Sequence, residues 1–357
     1  GAGRARRPHG RRHEIAGPIL VSDPPSRQNT CSPGQLGPPM KVIAAVLFCL
    51  ILPGRLAADE IPVRAFGVIL SHDEPDLEDV GRLRFRGGLD LRSGASRFGG
   101  LSGLDISADG TRLTAIGDRA VWFSARLGYD DDGRLAGISD TRLLPVRGPD
   151  GRPLAGRKLT DSESIARLTD GSMVVGFEQF HRLRRFTGIG APAQRLGAPP
   201  ALGASPRNGG AESVTRLWGN QLLVLSERLE TQPGIAAGWI GAGQDWRPVG
   251  FRRQGIFRPV GAATRDDDGA VFILERRFTA IGGIASRISF LPGGKIFPGG
   301  VFEGTELGEL SAPLVADNFE GIAVRRAKSG ETLIYIVSDD NFHDLQRTLL
   351  LMFSLAE

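Results

Sequence analysis

The sequence predicts an all-β protein, a β-propeller of five or six four-stranded blades. Three observations predict it. Short apolar, β-branched segments follow one another, separated by tight-turn signals. Glycine is abundant, with 50 of 357 residues, against 18 Phe, 4 Trp and 2 Tyr. A strand-turn-strand unit recurs at intervals of about 50 to 60 residues, which fits a propeller blade better than a sandwich strand. No amphipathic pattern of three helical turns interrupts this rhythm.

Along the chain, residues 1–39 are rich in Arg, Pro and Gly and have no apolar periodicity. They read as a disordered upstream segment rather than a domain. Met40-Lys41, the apolar run 42–52, the Pro53-Gly54 break and Ala57-Ala58 form a secretory signal pattern, so residues 40–58 are expected to be removed. That run is too short to span a membrane, which takes about twenty residues. The remainder, 59–357, is expected to be one propeller domain, periplasmic or secreted and monomeric. Both cysteines, Cys31 and Cys49, fall in the removed part, so the mature chain has neither disulfide nor thiol ligand. Residues 1–58 carry 8 of the 44 Lys/Arg and 2 of the 40 Asp/Glu. The formal charge of +4 therefore becomes 36 − 38 = −2 in the mature chain, which argues against nucleic acid as partner.

Residues 61–91 are expected to supply an outer strand that closes the ring against the final strand, 348–355, or to build part of a sixth blade. Between them five units align on their first two strands, starting near Ser102, Glu163, Glu212, Gly261 and Glu320. Each second strand follows a turn signal: 112–116 after Asp109-Gly110, 173–177 after Asp170-Gly171, 222–225 after Gly219-Asn220, 271–274 after Asp268-Gly269 and 333–337 after Ser329-Gly330. The triplets Asp130-Asp131-Asp132 and Asp266-Asp267-Asp268 lack the spacing and terminal Glu of an EF-hand and read as hairpin turns.

Acidic residues recur at fixed places in these units. The start of an inner strand and the end of the next lie side by side at one end of a blade, so both sets are expected at one mouth of the central channel. The first-strand starts are Ser102, Glu163, Glu212, Gly261 and Glu320. The second-strand ends are Asp118, Glu178, Glu227, Glu275 and Asp339, with Arg119, Arg228 and Arg276 beside three of them. Carboxylates this crowded cannot all stay ionised without compensation. Arginines pair with them, or a hard divalent cation with oxygen ligands, Ca²⁺ by expectation, sits among them. Acids at strand ends also lock neighbouring blades through backbone hydrogen bonds, and that bland reading weighs most on the second set.

His181 and His343 follow acidic strand ends and are candidate acid-base groups, against the plainer reading of solvated loop histidines. Other chemistries lack their signatures. There is no Gly-x-Ser-x-Gly elbow, so Ser102 reads as a turn or strand-edge serine. There is no His-x-x-x-His pair for zinc, and Gly293-Gly294-Lys295 is not a phosphate loop.

The segments Leu274-Glu275-Arg276-Arg277-Phe278, Asn318-Phe319-Glu320-Gly321-Ile322-Ala323 and Ser338-Asp339-Asp340-Asn341-Phe342, in that order and ahead of a final apolar strand, resemble the phytase-like family of exported bacterial proteins. The resemblance covers roughly residues 62–355. It implies a propeller related in shape to calcium-dependent propeller phytases, which hold calcium with channel carboxylates and hydrolyse phosphate monoesters. A phytase's basic phosphate-binding cluster has no residue-by-residue match here. The expected function is metal-assisted hydrolysis of an ester or phosphoester, with a small, anionic substrate. Asp118, Glu163, Glu178, Glu212, Glu227, Glu275, Glu320 and Asp339 would hold the ion, and Arg119, Arg228 or Arg276 would orient the substrate. A non-catalytic ligand- or protein-binding propeller and a gluconolactonase-type lactonase are the alternatives.

Overall fold

A computed structural model describes residues 58–356. The expected upstream segment, all of the signal pattern before Ala58, and both cysteines lie outside the described residues. Strands dominate, and they form five sheets whose innermost strands line one axis, so the propeller has five blades. The strands pair antiparallel except where Val301–Phe302 adds in parallel to Asp245–Arg252. The inner strands are Leu101–Ile106, Ser162–Arg167, Ser213–Arg216, Arg258–Thr264 and Phe319–Arg326, and from each the next two strands of the blade follow outward in chain order. Among the described residues no helix is long and apolar enough to cross a membrane.

The fifth blade is built from both ends of the described chain. Leu349–Leu355 pairs with Leu83–Arg92 in antiparallel register, Leu350 opposite Leu89, and Arg64–Gly67 adds the outermost strand. Residues 61–91 thus close the ring, and there is no sixth blade among the described residues. Closure leaves no blade free to splay without breaking a row of ladder hydrogen bonds.

The core is divided among the five interfaces between blades. The second strand of the fourth blade shows how one strand serves two of them. Val271 and Ile273 point into the cluster shared with the third blade, while Phe272 and Leu274 point into the cluster shared with the fifth. Successive side chains in a strand face opposite sides. A blade covered on both faces therefore reads as a continuous apolar run rather than an alternation, as these strands do. Trp122 and Phe186, with ring centroids 5.2 Å apart, fill the interface between the first two blades.

The register of the inner hairpins sets what reaches the axis. Leu101 pairs with Gly117, Ser162 with Phe177, Pro259 with Glu275 and Phe319 with Ser338, in each case beside a bulge. On the second strands the next residue then faces the mouth. In the fourth blade that residue is Arg276, not Glu275 as the sequence alignment expects, while Gly261 lines the axis as expected and Val260 before it is buried in the cluster shared with the fifth blade. A slip of one residue turns a side chain to the other face of the sheet. Glu275 accordingly points away from the axis. It accepts a hydrogen bond from Arg287 Nη2 at 2.7 Å and another from Ser289 Oγ.

Candidate functional site

The mouth opens on a cavity of about 980 Å³ at one end of the axis. Its innermost tier is Glu163, Glu212 and Glu320, at the starts of three inner strands. Below it the channel narrows to a gap of about 10 Å³ among the same glutamates, Leu104, Ile165, Val214 and Ile322. The glutamates therefore stand on an apolar floor, and all three are buried.

The tier from the second strands is Asp118, Glu178, Glu227, Arg276 and Asp339, all of which line the cavity. Asp161 joins them from two residues before Glu163, on the same face of the extended chain. Carboxylate oxygens of Asp118, Asp161 and Glu163 lie within 4.8 Å of one another. Ser102 Oγ donates to Asp118 Oδ1 at 2.9 Å.

The charges divide the cavity. On the side of the third to fifth blades, Arg276 donates to Glu320, Asn318 and, at 3.4 Å, Glu227. Arg228 Nε lies 3.0 Å from Glu227 Oε2. Those two acids are therefore compensated, and Arg276 is held charged against its burial by Glu320, Glu227 and Glu212. On the side of the first two blades, among the described residues, no guanidinium or ammonium comes within 4.0 Å of Asp118, Asp161 or Glu163.

The protonation of these acids reflects that imbalance. Burial, then the charges of Glu320 and Asp161, push Asp118 up to about 8. Burial, then Asp118 and Glu320, holds Glu163 well above the usual carboxylate range, and burial beside Glu163 and Glu178 does the same to Glu212. Asp339 rises to about 9 through burial and the nearby Glu320 and Asp118. Asp161 is raised by burial, against a hydrogen bond from Gln179.

Glu178 has a second task. It accepts hydrogen bonds from the backbone N–H of Gly209 and, at 2.6 Å, of Gly210, and so ties the second blade to the segment entering the third. Gly209 sits at φ +119°, and a Cβ there would strike Arg228. Both observations favour the interblade lock expected of a strand-end acid.

Four of the residues singled out from sequence are not brought to the cavity. Glu275 is turned away by the register described above. His181 packs beneath Gly210, its Nε2 3.0 Å from the Pro206 carbonyl oxygen. His343 lies exposed in a loop, its Nδ1 accepting from Leu345 N–H at 3.2 Å. Arg119 is exposed too, where it stacks 3.3 Å over the Phe342 ring and donates to the Ser96 carbonyl oxygen at 2.6 Å.

Conversely, sequence reasoning passes over three residues that the fold delivers. Asp161 was legible, since Asp161-Ser162-Glu163 places two acids on one face of a strand. Arg258 becomes visible only once the fourth-blade register is known. Arg157 arrives on the short helix Arg157–Thr160 that leads into the second blade. Among the described residues, Arg157 and Arg258 line the cavity without a carboxylate within 4.0 Å, and Arg258 Nη1 donates to the Glu227 carbonyl oxygen at 3.2 Å.

The donor set on the first two blades fits a hard cation. Three carboxylates converge with no cationic side chain of the described residues within 4.0 Å, although the Arg157 charge acts on Asp161 from farther away, and oxygen-only ligation is what Ca²⁺ takes.

The phytase-like family, described as having the esterase-like activity of phytase, matches residues 96–342. Among solved structures, the catalytic domain of the Coprinopsis cinerea GH62 alpha-L-arabinofuranosidase is similar at 12% identity and a TM-score of 0.47, over 78% of this chain and 98% of that one. A gluconolactonase from Xanthomonas campestris is similar at 10% identity and a TM-score of 0.40, over 83% of this chain and 98% of that one. No curated relative matches the chain. The match over residues 96–342 spans well over half of the sequence, and the chain belongs to the phytase-like family.

Proposed function

We propose that this phytase-like propeller hydrolyses an ester or phosphoester in the acidic cavity, with a divalent cation, Ca²⁺ by its chemistry, held by Asp118, Asp161 and Glu163. The observation that carries the reading is the triad of mutually close carboxylates with no cationic side chain of the described residues within 4.0 Å, facing a cavity that also carries Arg157 and Arg258, neither of them in an ion pair. A bound cation supplies polarisation of the ester oxygen and acidifies water. Arg258 and Arg157 bind the anionic part of the substrate by charge-assisted hydrogen bonds and orient its scissile bond. Burial beside Glu163 and Glu178 holds Glu212 well above the usual carboxylate range, which suits it to give a proton to the departing alkoxide oxygen. Water adds to the acyl or phosphoryl centre as the ester C–O or P–O bond breaks, the alcohol leaves with the Glu212 proton, and the proton lost by the water returns to the Glu212 carboxylate. Arg276 stays bound to Glu320 and Glu227, so its part is to position those acids.

Export to the periplasm or the cell exterior belongs to the same proposal and rests on residues 40–58; N-terminal sequencing of the secreted protein tests it. The chemistry is tested by assaying the mature protein on phosphate monoesters, carboxylic esters and lactones, with Ca²⁺ and with a chelator. Calcium-dependent turnover that is lost in Asp161→Asn and Glu163→Gln is the expected result. Inactivity across the panel, or turnover unaffected by both substitutions, overturns the reading.

A further inference from the structure

The cavity wall on the fourth blade changes character over one step of a strand. Arg276 and Phe278 are two residues apart in Val271–Thr279 and so share a face, about 7 Å apart along the chain. Opposite them on the returning strand stand Ser286 and Ile284, in register. Moving out from the acids, the wall is therefore first charged, at Arg276, and then apolar, at Phe278 and Ile284. Ile256, from the segment that enters the same blade beside Arg258, extends this apolar stretch, and Leu345 of the fifth blade lines the cavity too.

These side chains are not part of the core. Phe278 is 74% exposed, Ile256 55% and Leu345 86%. Large apolar side chains gathered at the rim of a cavity, rather than scattered singly, mark a surface that something covers. The occupant's chemistry follows from what stands beside them. Arg258, which pairs across the strands with Arg276, offers a guanidinium on the same blade that no carboxylate of the described residues meets within 4.0 Å, so the group entering here carries negative charge at one end and an apolar surface beside it.

We propose that Phe278, Ile284 and Ile256 form an apolar subsite, and that the substrate is an amphiphilic anion: a phosphate or carboxylic ester whose alcohol or acyl part is aromatic or aliphatic rather than a polar polyol. This rests on the hydrolytic reading for its catalytic half only, because the subsite can be tested by binding. Anionic ends dock at Arg258 and Arg157, and the apolar group packs on the Phe278 ring and against Ile284. Covering an aromatic ring of this kind on binding raises affinity by about tenfold to a hundredfold, the effect of burying one large apolar side chain.

The experiment is calorimetric titration of the Ca²⁺-supplemented protein with phenyl phosphate and with methyl phosphate, which match in charge and differ in apolar area. The wild-type protein is expected to bind phenyl phosphate at least about tenfold more tightly. In Phe278→Ser, and in the double variant with Ile256→Ser, that ratio is expected to fall towards one. Both positions are solvent-exposed, so the fold should tolerate them, and circular dichroism checks this. A wild-type ratio near one, or a ratio unchanged by both variants, overturns the proposal. Turnover of both esters is measured in parallel. A retained binding preference without turnover refutes the hydrolase reading and leaves the subsite standing, whereas turnover without preference does the reverse.

Discussion

The substitution Asp118→Asn tests whether the acidic cluster is built at the expense of the metal-free fold. Asp118 is pushed from 3.8 to about 8 by burial and by Glu320 and Asp161. A carboxyl raised in the folded state binds its proton more tightly there than in the unfolded chain, so its contribution to stability is complete below the unfolded value. It is lost as pH rises from about 4 to about 8. Between pH 5 and pH 8 the loss integrates to about 4 kcal/mol, at 1.36 kcal/mol for each pH unit in which only the folded state holds the proton. For a domain of this size 1 kcal/mol moves the melting temperature by about 2 °C, so the loss is worth about 8 °C. Asparagine keeps an acceptor for Ser102 Oγ and removes the charge. In chelator, the difference in melting temperature between pH 5 and pH 8 should therefore be smaller in Asp118→Asn than in the wild type by about that amount. Added Ca²⁺ should raise the wild-type melting temperature at pH 8 and leave the variant nearly unmoved. If the variant shows the same pH dependence as the wild type in chelator, the cluster is not the source of strain, and the argument for a cation there loses its physical basis.

Arg276→Leu should destabilise the protein by about 3 to 5 kcal/mol in urea unfolding, since it leaves Glu320 buried without its partner and Glu227 with Arg228 alone. Arg276→Lys should restore part of that loss, and a neutral Leu variant would contradict the pairing. Glu275→Gln should lower stability through the buried Arg287 while the Ca²⁺-induced rise in melting temperature persists; Glu163→Gln should abolish that rise, and the reverse pattern would restore Glu275 to the site. Gly210→Ala should cost about 1 to 3 kcal/mol, because its Cβ would meet the His181 ring. His181→Ala should relieve most of that cost in a double-mutant cycle, and additive effects would show that the histidine does not pack there.

Residue order alone carried the blade rhythm, because strand and turn are local properties. Apolar runs such as 271–274 need cover on both faces, and Asp-Gly or Ser-Gly pairs make the tight turns between them. The acids of the first, second, third and fifth blades were legible for a related reason. In a strand the side-chain period is two, so Glu163 and Glu178, or Glu212 and Glu227, separated by a hairpin of equal length, emerge on the same side.

The fourth blade shows where local information ends. Its Glu275-Arg276 pair offers two candidates for one position, and only the pairing of Pro259 with Glu275 decides that the arginine faces the axis. That register follows from the bulge and from the packing of Leu274 and Ile273 against two different neighbouring blades, both outside the segment itself. His181, His343 and Arg119 were near in sequence to acids that reach the mouth, yet a turn of one or two residues sends each side chain elsewhere. The sequence by itself determined that this is a turn-rich β-propeller with recurring carboxylates, since period, turn chemistry and composition are written residue by residue. Ring closure and strand register decided which of those carboxylates meet, that Arg276 pairs with Glu227 and Glu320, and that Asp118, Asp161 and Glu163 have no cationic side chain of the described residues within 4.0 Å. Those are facts about distances between distant parts of the chain, and Coulomb and desolvation energies depend on such distances rather than on residue order.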